Sequence, residues 1–119
     1  MSRVLVVDDE PDILLLHRLN LEAAGYEVLL VADGIKALSR IAEDEPDLVV
    51  LDVMMPALDG WGVLDALRGG PFQPPVLVVS ARPAQEDIDR ALASGASAYL
   101  VKPFDAETLI AAVAALLAA

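Results

Sequence analysis

The chain has 119 residues, of which 56% are hydrophobic, a formal net charge of −11 and no cysteine. That length and apolar content suit a single domain over residues 1–119 and exclude disorder, while the acidic balance argues against direct nucleic-acid binding, which needs clustered Lys and Arg. There is no disulfide framework, no charged-then-apolar leader and no apolar run near the ~20 residues that span a bilayer, so the expectation is a soluble, cytoplasmic domain without membrane contact.

Arg3 to Val7, RVLVV, reads as a strand that ends in the carboxylates Asp8 and Asp9, followed by Glu10 and the helix-starting Pro11. The helix runs to about Ala24 and is stopped by Gly25. Within it Ile13 and Leu16 are the core candidates, and Leu14 and Leu15 make its apolar surface wider than one buried face demands. His17 lies mid-helix and reads as a partly packed histidine, with no companion that would make it a metal ligand.

Glu27 to Val31 is a second strand. Asp33-Gly34 opens a helix through about Glu43, with Ile35, Leu38 and Ile41 or Ala42 at helical spacing, and Glu43-Asp44-Glu45 reads as a solvated loop. Leu48 to Leu51 is fully apolar, which suits a central strand buried on both faces, and it ends on Asp52. The connection cannot become helical before Pro56; Met55 reads as a packing residue and Asp59-Gly60 as a turn.

Gly60 to Arg68 is a short third helix, with Trp61 expected to pack on a loop, closed by Gly69-Gly70-Pro71. Val76 to Val79 is a fourth strand with the Ser80 hydroxyl at its end, and Ser80-Ala81-Arg82-Pro83 leads into a helix to about Ser94, stopped by Gly95. Ala98 to Val101 is a fifth strand, Lys102-Pro103-Phe104 a tight connection with Phe104 as packing, and Asp105 caps a last helix striped by Leu109, Ile110, Val113, Leu116 and Leu117. Five strands alternating with five helices imply an α/β domain: a parallel sheet, right-handed crossovers and helices on both faces.

Asp52 seen alone either caps a turn or faces the crevice at the carboxyl ends of the strands, where open α/β sheets bind ligands. If the first and third strands are parallel neighbours, Asp8, Asp9 and Asp52 converge at one edge, and their mutual repulsion calls for a cation. An all-oxygen set suits Mg²⁺, so the two acidic strand ends form a candidate phosphoryl-transfer site.

VLVVDDEP, LDVMMPALDG, the Ser80-Ala81 pair and YLVKPF, in this order and spacing, resemble the receiver domain of two-component response regulators across essentially the whole chain. The resemblance implies a flavodoxin-like doubly wound (βα)5 domain of strand order 2-1-3-4-5. It implies that Asp52 accepts a phosphoryl group from a histidine kinase or histidine phosphotransfer protein, and that the domain switches a downstream output domain or protein rather than acting as an enzyme. Asp8, Asp9, Asp52 and the backbone carbonyl of Met54 are the implied Mg²⁺ ligands, and Lys102 the implied contact to the phosphoryl oxygens. Ser80 and Tyr99 are the implied switch pair, and a cis Lys102–Pro103 bond is implied as well.

In the family the first helix takes part in docking the phosphodonor, so Leu14 or Leu15 is expected in that surface. Winged-helix regulators of the family carry two acidic residues after Gly-Ala and basic residues in the last helix. Here Ser97-Ala98 follow Gly95-Ala96 and the last helix has neither Arg nor Lys, which sets their dimer mode apart. Two other readings exist. A phosphohydrolase of the haloacid dehalogenase type needs a second aspartate where Met54 stands, and a degenerate, phosphate-independent module usually loses an acidic residue or the lysine, both of which are present.

Overall fold

The computed structural model describes residues 2–54, 60–70 and 72–118. Its elements follow in strict alternation: β1 (Arg3–Val7), α1 (Pro11–Ala23), β2 (Glu27–Val31), α2 (Gly34–Asp44), β3 (Leu48–Asp52), α3 (Gly60–Arg68), β4 (Val76–Ser80), α4 (Gln85–Ala93), β5 (Ala98–Val101) and α5 (Ala106–Ala118). The expectations for Met55, Pro56 and Asp59 lie outside the described residues. No helix among the described residues is long and apolar enough to cross a membrane.

The strands form one parallel sheet in the order β2-β1-β3-β4-β5, as the resemblance implied. β1, β3 and β4 occupy its middle, which is why their runs are apolar without alternation. Val4 and Val6 face a core completed by Leu14 and Leu21 of α1 and by Leu109 and Val113 of α5. Leu5 and Val7 face the opposite core, with Ala37 and Ile41 of α2, Val63 and Leu64 of α3, and Ala91 of α4.

Local signals act where they were expected. The Asp33 carboxylate accepts from the Lys36 amide at 2.8 Å, the Asp105 carboxylate from the Thr108 amide at 2.8 Å, and Gly25 takes φ 97° just past α1. Glu43 and Asp44 belong to the last turn of α2 rather than to a loop, because Arg40 pairs with Asp44 at 2.7 Å one turn away. Ile35 is exposed, since α2 meets the sheet through Ala37 and Ile41. Trp61 packs on the α2–α4 core, and its ring carries the Arg90 guanidinium 4.0 Å from the centroid, tying α3 to α4.

The largest departure is in α1. Leu14 is only 7% exposed and belongs to the core, whereas Leu15 and Leu16 are 53% and 51% exposed. Leu14 is therefore no docking residue, Leu16 no core residue, and Ile13 only half-buried. His17, at 5% exposure, takes an inward position.

Candidate functional site

Parallel pairing in register brings the carboxyl ends of the central strands to one edge of the sheet. Val7 lies opposite Leu51, Asp52 opposite Val79, and Ser80 opposite Val101. The residue that ends or follows each strand, namely Asp8, Asp52, Ser80 and Lys102, therefore comes to the same crevice. The Lys102 amide also donates to the Ser80 carbonyl at 2.8 Å.

Two carboxylates meet the ammonium there. Lys102 Nζ lies 3.0 Å from Asp8 Oδ2 and 3.3 Å from Asp52 Oδ2. Each aspartate uses its other oxygen to order the chain just beyond its own strand: Asp8 Oδ1 accepts from the Glu10 amide at 2.9 Å, and Asp52 Oδ1 from the Met54 amide at 2.8 Å. Asp8 and Asp52 are 1% and 4% exposed, so the lysine neutralises charge that water cannot reach.

Burial raises the Asp52 pKa above its ordinary value, and the Met54 amide and the Lys102 charge oppose that rise without cancelling it. Burial alone would lower the Lys102 pKa, but hydrogen bonding and charge from Asp8 and Asp52 outweigh it and the net direction is upward. Both values rise, but the rise favours the charged form of Lys102 and the neutral form of Asp52, because the ammonium gains from two carboxylates, whereas Asp52 shares that single ammonium with Asp8.

Carboxylate oxygens of Asp8, Asp9 and Glu10 lie within 4.8 Å of one another. The donors are all hard oxygens, which fits Mg²⁺. Glu10 is a member of this group that sequence reasoning did not assign; its position after two aspartates at a strand end was the available signal. Asp52 is linked to the group through Lys102, and Met54 contributes its amide to Asp52.

Ser80 is fully buried, and its Oγ accepts from the Arg82 amide at 3.1 Å. Tyr99 is half-buried against the α2–α4 core, and its hydroxyl donates to the Arg82 carbonyl at 2.8 Å. Gly60 closes the other side. A Cβ there would collide with Val53 Cα and stand 2.5 Å from the Asp52 carbonyl oxygen, so only glycine lets α3 start against the strand that carries Asp52. The Lys102–Pro103 peptide is cis, as the resemblance implied, and Phe104 packs against the α1–α5 core.

A family model described as the response regulator receiver domain matches residues 4–114. The transcriptional regulatory protein PrrA of Mycobacterium tuberculosis is 47% identical over 115 residues, covering 97% of this chain and 49% of that protein. The alkaline phosphatase synthesis transcriptional regulatory protein PhoP of Bacillus subtilis is 42% identical over 116 residues, covering 98% and 48%. The chain thus spans about half the length of the curated relatives it matches. Among solved structures, the receiver domain of Francisella response regulator 1452 superposes with a TM-score of 0.95 at 36% identity, over 99% of this chain and 98% of that one. The Vibrio cholerae chemotaxis protein CheY4 does so with a TM-score of 0.93 at 34% identity, over 98% of each chain.

Proposed function

The chain belongs to the response regulator receiver domain family, and from that premise we propose that Asp52 is its phosphoacceptor. The observation that carries the proposal is the Lys102 ammonium, held 3.0 Å from Asp8 and 3.3 Å from Asp52 at the carboxyl edge of the sheet. In the reaction a carboxylate oxygen of Asp52 forms a bond to phosphorus, the P–N bond of a donor phosphohistidine breaks, and the leaving imidazole nitrogen keeps the electron pair. Lys102 compensates the charge of the incoming phosphoryl oxygens, and Met54 and Lys102 hold the Asp52 carboxylate so that little reorganisation accompanies attack.

Asp8 and Asp9, with Asp52 and the Met54 carbonyl, are the proposed holders of Mg²⁺, and Glu10 stands beside them. When bound, Mg²⁺ supplies charge neutralisation at the transferred group. The domain works as a signalling acceptor rather than as a turnover enzyme.

The donor is a histidine kinase or a histidine phosphotransfer protein, and we place its docking on the exposed leucines of α1: Leu15, with Leu16 and Leu19 beside it, next to the loop that carries Asp9 and Glu10. Ser80 and Tyr99 carry the switch outward. Turning Ser80 Oγ to a phosphoryl oxygen gives up its bond to the Arg82 amide and frees the residue to which Tyr99 is tied. The downstream target is an output domain or a separate protein, and the 1–119 unit is the receiver.

Treatment with acetyl phosphate and Mg²⁺ tests the reading. One phosphoryl group per chain should appear, located on Asp52 by mass spectrometry, and should be lost in Asp52→Asn. Asp9→Ala should weaken Mg²⁺ binding by about tenfold or more, since even loss of groups behind a metal ligand costs that much. A phosphate on Asp8, Asp9 or Ser80 would refute the assignment; continuous release of phosphate would favour a hydrolase, and no labelling a degenerate module.

A further inference from the structure

His17 is buried in a place where an aliphatic side chain would cost less. Neither Nδ1 nor Nε2 has a hydrogen-bond partner among the described residues. Its ring stacks on Phe104, with centroids 5.6 Å apart and planes inclined by 12°. Phe104 lies two residues beyond Lys102, and a cleft of about 420 Å³ between α1 and the β5–α5 connection is lined by His17, Leu16, Lys102, Pro103 and Phe104. The contacts close a circuit: α1 begins at Pro11, three residues after Asp8, and carries His17, His17 stacks on Phe104, and the Phe104 segment carries the lysine that returns to Asp8 at 3.0 Å.

We infer that His17 is a positioning residue for Lys102, acting through Phe104, and that protonation of its imidazole releases the lysine from Asp8 and Asp52. The stacked arrangement suits the neutral ring, because the ring is enclosed and its nitrogens lack partners. The charged groups around it come from each neighbouring segment. Asp8 at the end of β1 attracts the proton and Lys102 at the end of β5 repels it, with burial the larger influence and the net direction downward from 6.5. Glu10 of the β1–α1 connection shares the cleft, Asp105 at the head of α5 lines the adjoining cavity, and Ala81 brings no charge from the β4 side.

A released His17 takes up a proton at its ordinary pKa, whereas the stacked ring resists it. The stacked state is therefore fully favoured above 6.5 and loses ground as pH falls below that value. The consequence for phosphoryl acceptance rests on the reading of Asp52 proposed above; the release of Lys102 does not.

The chain has two lysines, Lys36 and Lys102, and Lys36 is exposed on α2, so it serves as an internal reference. Reductive methylation with formaldehyde and cyanoborohydride, read by peptide mass spectrometry, reports the fraction of time that Lys102 is free. Between about pH 7.5 and about pH 5.5 the Lys102:Lys36 ratio of labelling rates should rise by about tenfold in the wild-type chain. It should stay flat in His17→Phe, which keeps a stacking ring, and in His17→Leu, which serves if the larger ring does not fold. A flat ratio in the wild type, or a rise of the same size in either folded variant, overturns the inference. No phosphodonor is used, so this result and the assignment of Asp52 fail independently.

Discussion

Ser80 and Tyr99 grip one peptide residue from opposite sides: the Arg82 amide donates to Ser80 Oγ at 3.1 Å, and the Arg82 carbonyl accepts from the Tyr99 hydroxyl at 2.8 Å. Tyr99→Phe removes one grip and should lower stability by about 0.5–1.5 kcal/mol, the usual worth of a hydrogen bond. Combined with Ser80→Ala in a double-mutant cycle by urea unfolding, it should show a coupling of about 0.5 kcal/mol or more. Additive losses would mean that the two hydroxyls are independent and that Arg82 transmits nothing between them.

Asp52 is a liability to the unphosphorylated fold. Its folded pKa lies above the ordinary 3.8, with burial the main cause, so folding disfavours the ionised form. The penalty is absent below 3.8 and complete once pH has risen through the folded pKa. Asp52→Asn should therefore raise the urea midpoint of the Mg²⁺-free protein at neutral pH, and the gain should disappear in acid below 3.8. Lys102 keeps Asp8 as a partner in this variant. Equal midpoints for the two proteins at neutral pH would contradict the account.

Gly60→Ala places a methyl group against the backbone of Val53 and Asp52, with the Asp52 oxygen 2.5 Å away, and backbone cannot rotate aside as a side chain does. Overpacking of this kind costs about 1–3 kcal/mol. Because the strain falls on Asp52, the proposed phosphoacceptor, the variant should lose acetyl-phosphate labelling rate along with stability. A wild-type urea midpoint would show that α3 can shift away from β3 at no cost.

Leu14 and Leu15 should separate cleanly. Leu14→Arg buries an unpaired cation in the α1–α5 core and should cost about 3–5 kcal/mol, enough to unfold a marginal domain. Leu15→Arg changes an exposed position and should stay within about 0.5 kcal/mol of the parent. It should nevertheless lower the ratio of kinase-driven to acetyl-phosphate-driven phosphorylation, and an unchanged ratio would remove Leu15 from the docking surface.

Much of the site's placement is legible in the sequence. Apolar runs ending on Asp8, Asp52 and Ser80 marked the strands, because a parallel strand buried on both faces has no polar alternation until its end. Regular alternation with helices then obliged those ends to face one edge. Asp33 and Asp105 were legible as caps for an equally local reason: the hydrogen bond they make spans three residues.

The face of α1 was not legible. A stripe through Ile13 and Leu16 continues to Asn20, and one through Leu14 and Leu21 passes His17, so each carries a polar residue and helical period cannot choose between them. The sheet and α5 chose the second, because Phe104 offers a flat ring for the imidazole and the other stripe leaves its leucine in solvent. Local sequence determined the strands, their charged ends and the helix starts of this protein, since short apolar runs and caps depend on neighbours a few residues away. Only the tertiary structure decided that Lys102 serves Asp8 and Asp52 together and that His17 lies behind Phe104, since those contacts join groups 94, 50 and 87 positions apart, whose distances arise from the packing of β1, β3, β5 and α1.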